Sequence, residues 1–370
     1  MKHVAGLAIL AAAFLAAPVM AQGAMAPKYN ALPVQPEPPG PVRIPDAPQL
    51  PYHFGKRPVA PLGEQFGNVA AIALMPNGDL LVFNRNPAIM MVEYDPTGTT
   101  VKRVFNPNIA MNPHGLRVDR HGNIWAIDSF LNVIYKLNSK GEVLKVFGTR
   151  GENAPWNDAK WNGMFNQPLD ITFDDADNFY VVQSHGGTSP PADCTFCATY
   201  DSPQTHNAHG HAVFVTHSPA IPGSDPRVMK FDKDGHLLAS ASLAHPDGKV
   251  PTIHSVVVAP NGDVWVADRA SQKIVVYDKN LKKLRDIQLH NLTCGFYKDA
   301  TGQLWMSTGR DGMVLKMGWD GKVQGWYGKH GTVRDSNDAG EAHYMAVSKD
   351  QKTIWIADTV LAKVLKLEHN

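Results

Sequence analysis

The chain has 370 residues, 44% of them hydrophobic and 19% charged, with 35 basic side chains against 34 acidic ones and a formal charge of +1. So even a balance excludes a basic footprint for nucleic acid and a polybasic patch for a membrane surface. Three cysteines are too few for a disulfide-built scaffold, and the length suits one large domain or two small ones.

Residues 1–21 read as a secretory signal peptide. Lys2 and His3 give a polar start, Val4 to Ala17 is nearly unbroken apolar sequence, and Val19-Met20-Ala21 offers a cleavage site before Gln22. The apolar run is short for a bilayer span and carries the flank of an exported protein. The expected location is secreted, or periplasmic in a Gram-negative host. Residues 22–61 are rich in proline (Pro33, Pro36, Pro38, Pro39 and onward) and predict an extended leader.

From residue 62 to 370 one pattern recurs: an apolar approach, a polar turn with Asn, Asp or Gly, and an apolar strand around an aromatic. Its six copies begin at Leu74, Val118, Phe173, Val258, Tyr297 and Val347. Asn-Gly and Gly-Asn turns tolerate positive φ and suit tight hairpins between buried strands. Third strands follow at Val133–Leu137, Lys273–Tyr277 and Lys363–Leu367, and a further turn and strand at Ser139–Phe147 and Asp320–Trp326. Four strands per unit, repeated every 40 to 55 residues or so, predict an all-β, six-bladed β-propeller of four-stranded antiparallel blades. The spacing breaks once, between Tyr180 and Trp265, where a His-rich insertion at about 185–225 fits. Trp125, Trp265, Trp305 and Trp355 read as blade packing. Within the insertion, His206, His209, His211 and His217 read as a solvated loop, with a lid over the channel mouth as the rival. Cys194 and Cys197 are spaced for a local disulfide, leaving Cys294 outside it.

Three of the sixteen histidines share one repeat position, at the start of the strand before the turn: His114, His254 and His343. The innermost strands of a propeller line one channel, so these imidazoles from blades two, four and six should converge on the axis. Three neutral nitrogens with an open position suit a divalent ion, zinc most simply.

The stretches Asn112-Pro-His114-Gly-Leu-Arg-Val-Asp-Arg-His-Gly-Asn-Ile-Trp, Val264-Trp-Val-Ala-Asp-Arg269 and His343 to Leu367 resemble the peptidyl-α-hydroxyglycine α-amidating lyases (peptidylamidoglycolate lyases), which belong to the NHL-repeat propellers. The resemblance runs from about Phe66 to Leu367. It implies zinc held by His114, His254 and His343, and a substrate carboxylate bound by Arg269 and Arg85. It also implies a structural calcium held partly by the Leu116 carbonyl. The reaction implied splits a carbinolamide C–N bond, releasing an amide and glyoxylate. Two positions depart from the family. His185 stands where the catalytic tyrosine follows the third blade's central strand, either as base or as a fourth metal ligand. Tyr344 replaces the aspartate that serves the calcium. Arg269 has a simpler alternative role, pairing with Asp268 or another carboxylate. The alternative functions are a metal-dependent lactone or ester hydrolase of the gluconolactonase type and a non-catalytic NHL-repeat binding protein. The expected partner is a small-molecule or peptide-derived substrate, met by a monomer without membrane insertion.

Overall fold

In a computed structural model the protein is described over residues 44–105, 109–152, 161–183, 226–246 and 251–370. Among these residues there is no α-helix, and none of the structure is long and apolar enough to cross a membrane as a helix. The strands form six four-stranded antiparallel sheets, a six-bladed β-propeller. Blade one comprises β2 (Val69–Leu74), β3 (Leu80–Asn84), β4 (Met91–Tyr94) and β5 (Val101–Val104). Blade two comprises β6 (Pro113–Val118), β7 (Ile124–Asp128), β8 (Val133–Leu137) and β9 (Val143–Phe147). Blade three comprises β10 (Pro168–Phe173), β11 (Phe179–Gln183), β12 (Arg227–Phe231) and β13 (Leu237–Ser242). Blade four comprises β14 (Ile253–Val258), β15 (Val264–Asp268), β16 (Lys273–Tyr277) and β17 (Lys283–Gln288). Blade five comprises β18 (Phe296–Lys298), β19 (Leu304–Ser307), β20 (Met313–Met317) and β21 (Val323–Gly328).

Blade six combines strands from opposite ends of the described residues. β22 (Ala342–Val347), β23 (Thr353–Asp358) and β24 (Lys363–His369) receive β1 (Tyr52–Phe54) as the outer strand, with Tyr52 opposite His369. The segment read as an extended leader to residue 61 therefore donates a strand. Proline richness predicts extended backbone, and an outer strand with one free edge tolerates prolines on either side of it. That one segment closes the ring.

Each blade turns from its first to its second strand through the Asn/Asp/Gly motif. In blade two the Asp119 carboxylate accepts the backbone N–H groups of His121 and Asn123 and, at 3.0 Å, the Trp125 indole N–H. Asp299 repeats the arrangement with Trp305 at 2.9 Å. The turn residue thus also orients the aromatic that packs between blades. Trp265, Trp305 and Trp355 are fully buried there, and Trp125 stacks on Phe147 with centroids 5.3 Å apart. The blade-packing reading of the tryptophans holds.

Residues 184–225 connect β11 to β12, so the insertion lies between the second and third strands of blade three. His185, Cys194, Cys197 and the insertion's other histidines lie outside the described residues.

Candidate metal centre

Each blade carries its channel residue five positions before the turn: Ala70, His114, Leu169, His254, Cys294 and His343 in blades one to six, Cys294 lying two residues ahead of β18 and the others within the inner strands. In five of the six blades the pairing with the second strand slips at this point. Val69 pairs with Asn84 and then Ala71 with Phe83; Pro168 pairs with Gln183 and then Asp170 with Val182. Blades two, four and six slip at the same place. A bulge takes local main-chain groups out of the ladder and re-aims the side chain.

The consequence is a regular handover between blades. His114 Nδ1 donates to the carbonyl of Leu169 at 2.9 Å, His254 Nδ1 to that of Cys294 at 3.0 Å, and His343 Nδ1 to that of Ala70 at 2.5 Å. A carbonyl can only accept, so all three Nδ1 atoms carry a proton, and in the neutral ring each Nε2 then keeps a lone pair. The three rings are buried, with centroids 4.6 to 5.0 Å apart, and one ligand atom from each lies within 4.8 Å of the others. Burial holds the His343 imidazole down at about 4, neutral over the physiological range. Tautomer-fixed and convergent imidazoles are the donor set a borderline-soft divalent ion takes, with the carbonyls as its outer support. The residues fit a metal ion. Gly115 serves the same arrangement, because a Cβ there would stand 2.4 Å from the Leu169 carbonyl that holds His114.

Arg85 and Arg269 occupy equivalent positions, directly after the second strands of blades one and four. Both are buried beside the triad. Arg85 donates from Nε to the carbonyl of Pro113, the residue before His114, at 3.3 Å, and burial lowers its pKa to about 10 against the pull of Glu341 and Asp128. Arg269 forms an ion pair through Nη1 with Glu341, and Nη1 also lies 3.5 Å from Cys294 Sγ. Arg269 thus pairs with a carboxylate, though with Glu341; Asp268 instead meets His245 at 2.7 Å. Burial alone would raise the Glu341 pKa, but Arg269, His343 and Arg310 hold it well below its ordinary range, and Thr359 donates to it at 2.9 Å. Reading Glu341-Ala-His343 for its histidine misses this acid, whose spacing of two from His343 was the available signal.

Below the triad the channel is filled. Tyr344 is fully buried, donates its hydroxyl to the His254 carbonyl at 2.8 Å, and sets its ring 4.9 Å from that of His343. Arg117 lies 5.2 Å from the Tyr344 ring and forks onto Asp170 at 3.0 and 2.6 Å. A calcium near Leu116 would have to draw on main-chain carbonyls, since among the described residues no group of three carboxylates gathers there. Among the described residues the three histidines are the grouping suited to a metal, and a guanidinium already neutralises Asp170.

No family model matches the chain. The sequence is similar to peptidyl-glycine alpha-amidating monooxygenase A of Xenopus laevis, 28% identical over 240 residues, which is 56% of this chain and 21% of the relative. It is also similar to mouse NHL repeat-containing protein 3, 23% identical over 180 residues, 45% of this chain and 40% of that protein. The chain therefore spans less than half the length of these relatives. Among solved structures, a streptogramin B lyase superposes with a TM-score of 0.55 at 14% identity, over 86% of this chain and 98% of that one. A gluconolactonase from Xanthomonas campestris gives a TM-score of 0.55 at 14% identity, over 89% and 99%. At such identity these structures show the shared fold alone.

Proposed function

We propose that the protein is a metal-dependent carbon–nitrogen lyase acting on a carbinolamide in the manner of the peptidylamidoglycolate lyases. The observation that carries this reading is the set of three buried histidines, each with Nδ1 committed to a neighbouring blade's carbonyl, beside two buried arginines at equivalent blade positions. Held by His114, His254 and His343, a divalent ion such as zinc supplies Lewis acidity that lowers the pKa of a substrate hydroxyl.

The chain's own residues do the rest. Arg85 and Arg269 offer a carboxylate a charged, desolvated seat, and a guanidinium fork fixes its orientation. Glu341 already occupies Arg269, so a substrate carboxylate must share that guanidinium or displace Glu341 from it. Tyr344 closes the channel beneath the triad and keeps water from entering on that side. We assign the base to His185, two residues beyond Gln183, the last residue of the second strand of blade three, which pairs with Pro168 next to the ring residue Leu169. The relative's name, with its reference to peptidyl-glycine amidation, supports the substrate class. The histidine donor set argues against a calcium-type hydrolase, whose ion prefers oxygen ligands.

Elemental analysis of purified protein with a glyoxylate assay on α-hydroxyhippurate tests the reading. One zinc per chain with glyoxylate release supports it. Zinc without glyoxylate keeps the centre and removes the lyase assignment, and metal content unchanged in His114→Ala, His254→Ala and His343→Ala removes the centre.

A further inference from the structure

Cys294 stands in the ring of channel residues, five positions before the blade-five turn, in register with His114, His254 and His343. Blade five lies between the blades that carry His254 and His343. The thiol is completely buried, and its Sγ lies 3.6 Å from Nδ1 and 3.9 Å from Nε2 of His254. The same residue's carbonyl accepts the His254 Nδ1 proton at 3.0 Å, so main chain and side chain of Cys294 both address one imidazole. Gly295 lets the strand approach this closely, since a Cβ there would stand 2.5 Å from the His343 carbonyl.

We infer that Cys294 is a fourth protein ligand of the channel metal, making the centre a three-histidine, one-cysteine site. The assignment rests on the metal reading of the three histidines. In a tetrahedral set with bonds of about 2.1 Å to nitrogen and 2.3 Å to sulfur, sulfur and nitrogen stand about 3.6 Å apart. Sγ now lies nearer Nδ1 than Nε2 of His254 and outside the grouping of the three histidine ligand atoms, so ligation requires a rotation about the single side-chain torsion of Cys294 that carries Sγ from the Nδ1 side to the Nε2 side. Ligation releases the thiol proton to solvent, and the neighbouring Arg269 guanidinium, 3.5 Å from Sγ before that rotation, favours the thiolate that remains. A thiolate also biases the site towards zinc over harder ions. A substrate oxygen then enters as a fifth donor or in place of the sulfur.

Cobalt(II) titration of the metal-free full chain reads the sulfur directly. The wild type should take up one cobalt per chain, with visible d–d bands and an intense near-ultraviolet thiolate-to-cobalt band. Cys294→Ser and Cys294→Ala should lose the near-ultraviolet band and still bind one cobalt. Cobalt uptake with d–d bands alone in the wild type overturns the cysteine and leaves the histidines standing. A sulfur band that survives in the Cys294 variants also overturns it, because Cys194 or Cys197 is then the source. No uptake by the wild type overturns both readings. Zinc X-ray absorption on the wild type needs no variant: one sulfur among the nearest scatterers is expected, and nitrogen and oxygen alone overturn the assignment.

Discussion

His343 donates Nδ1–H to the carbonyl of Ala70, 2.5 Å away, so a histidine of the last blade is fixed by the first. The same hand-off runs from blade two to three and from four to five, and the metal centre is therefore built across blade seams. A ligand that binds only this closed arrangement stabilises it by about 2.7 kcal/mol at one hundred times its Kd. Zinc should raise the thermal midpoint of the metal-free protein by several degrees, and a chelator should reverse the rise. His343→Ala should abolish the zinc-dependent shift. A shift of unchanged size in that variant, followed by calorimetry, would sink the three-histidine centre.

The buried Arg269–Glu341 pair gives a second prediction. Removing one partner of such a pair leaves an uncompensated charge and costs about 3–5 kcal/mol. Arg269→Met should lower stability by this order in urea unfolding, and the double variant with Glu341→Gln should recover most of it. Equal losses in the single and double variants would show that the two side chains are not coupled.

Gly115→Ala tests the bulge. The added Cβ meets the Leu169 carbonyl at 2.4 Å, with the Ile127 side chain at 3.0 Å and the Asp170 Cα at 3.3 Å leaving little room to yield. Overpacking of this kind costs about 1–3 kcal/mol, and here the carbonyl that shifts is the one holding His114. Metal affinity, measured by competition with a chromogenic chelator, should fall together with stability. Stability lost at unchanged affinity would separate Gly115 from the site.

The repeat was legible because a propeller writes each blade into the chain with the same turn chemistry: Asn77-Gly78, Gly122-Asn123 and Asn261-Gly262 mark the first hairpins of their blades. Register relative to those turns also located His114, His254 and His343. Three features stayed hidden. The strand pairing of Tyr52–Phe54 with β24 is a contact between distant ends of the sequence, and nothing local announces it. The bulges are a matter of pairing, invisible in a pattern of apolar residues. The Arg269–Glu341 pair joins blades four and six, so neither residue's neighbours in sequence reveal the other. Cys294 was within reach of the same count that found the histidines, but a search confined to histidine stops short of it.

Acid titration separates two buried groups of opposite sign. The His343 pKa is lowered to about 4 by burial, so the folded state binds fewer protons than the unfolded chain between there and the ordinary 6.5. Its stabilising contribution is complete above 6.5 and is lost as pH falls through the window, about 3 kcal/mol in all. Asp358 is raised to about 6, burial outweighing the backbone N–H groups of Gly340, Glu341 and Leu361 that it accepts. Its contribution is complete below 3.8 and is lost as pH rises through 6, again about 3 kcal/mol. In metal-free protein the two slopes oppose one another between pH 4 and 6. His343→Asn should leave the Asp358 slope exposed, with denaturant midpoints falling as pH rises from 4 to 6. Asp358→Asn should show the reverse, midpoints falling as pH drops from 6.5 to 4. Other titrating groups cancel when each variant is subtracted from the wild type at the same pH. Parallel profiles for both variants and the wild type would mean that neither group titrates differently in the folded and unfolded chain.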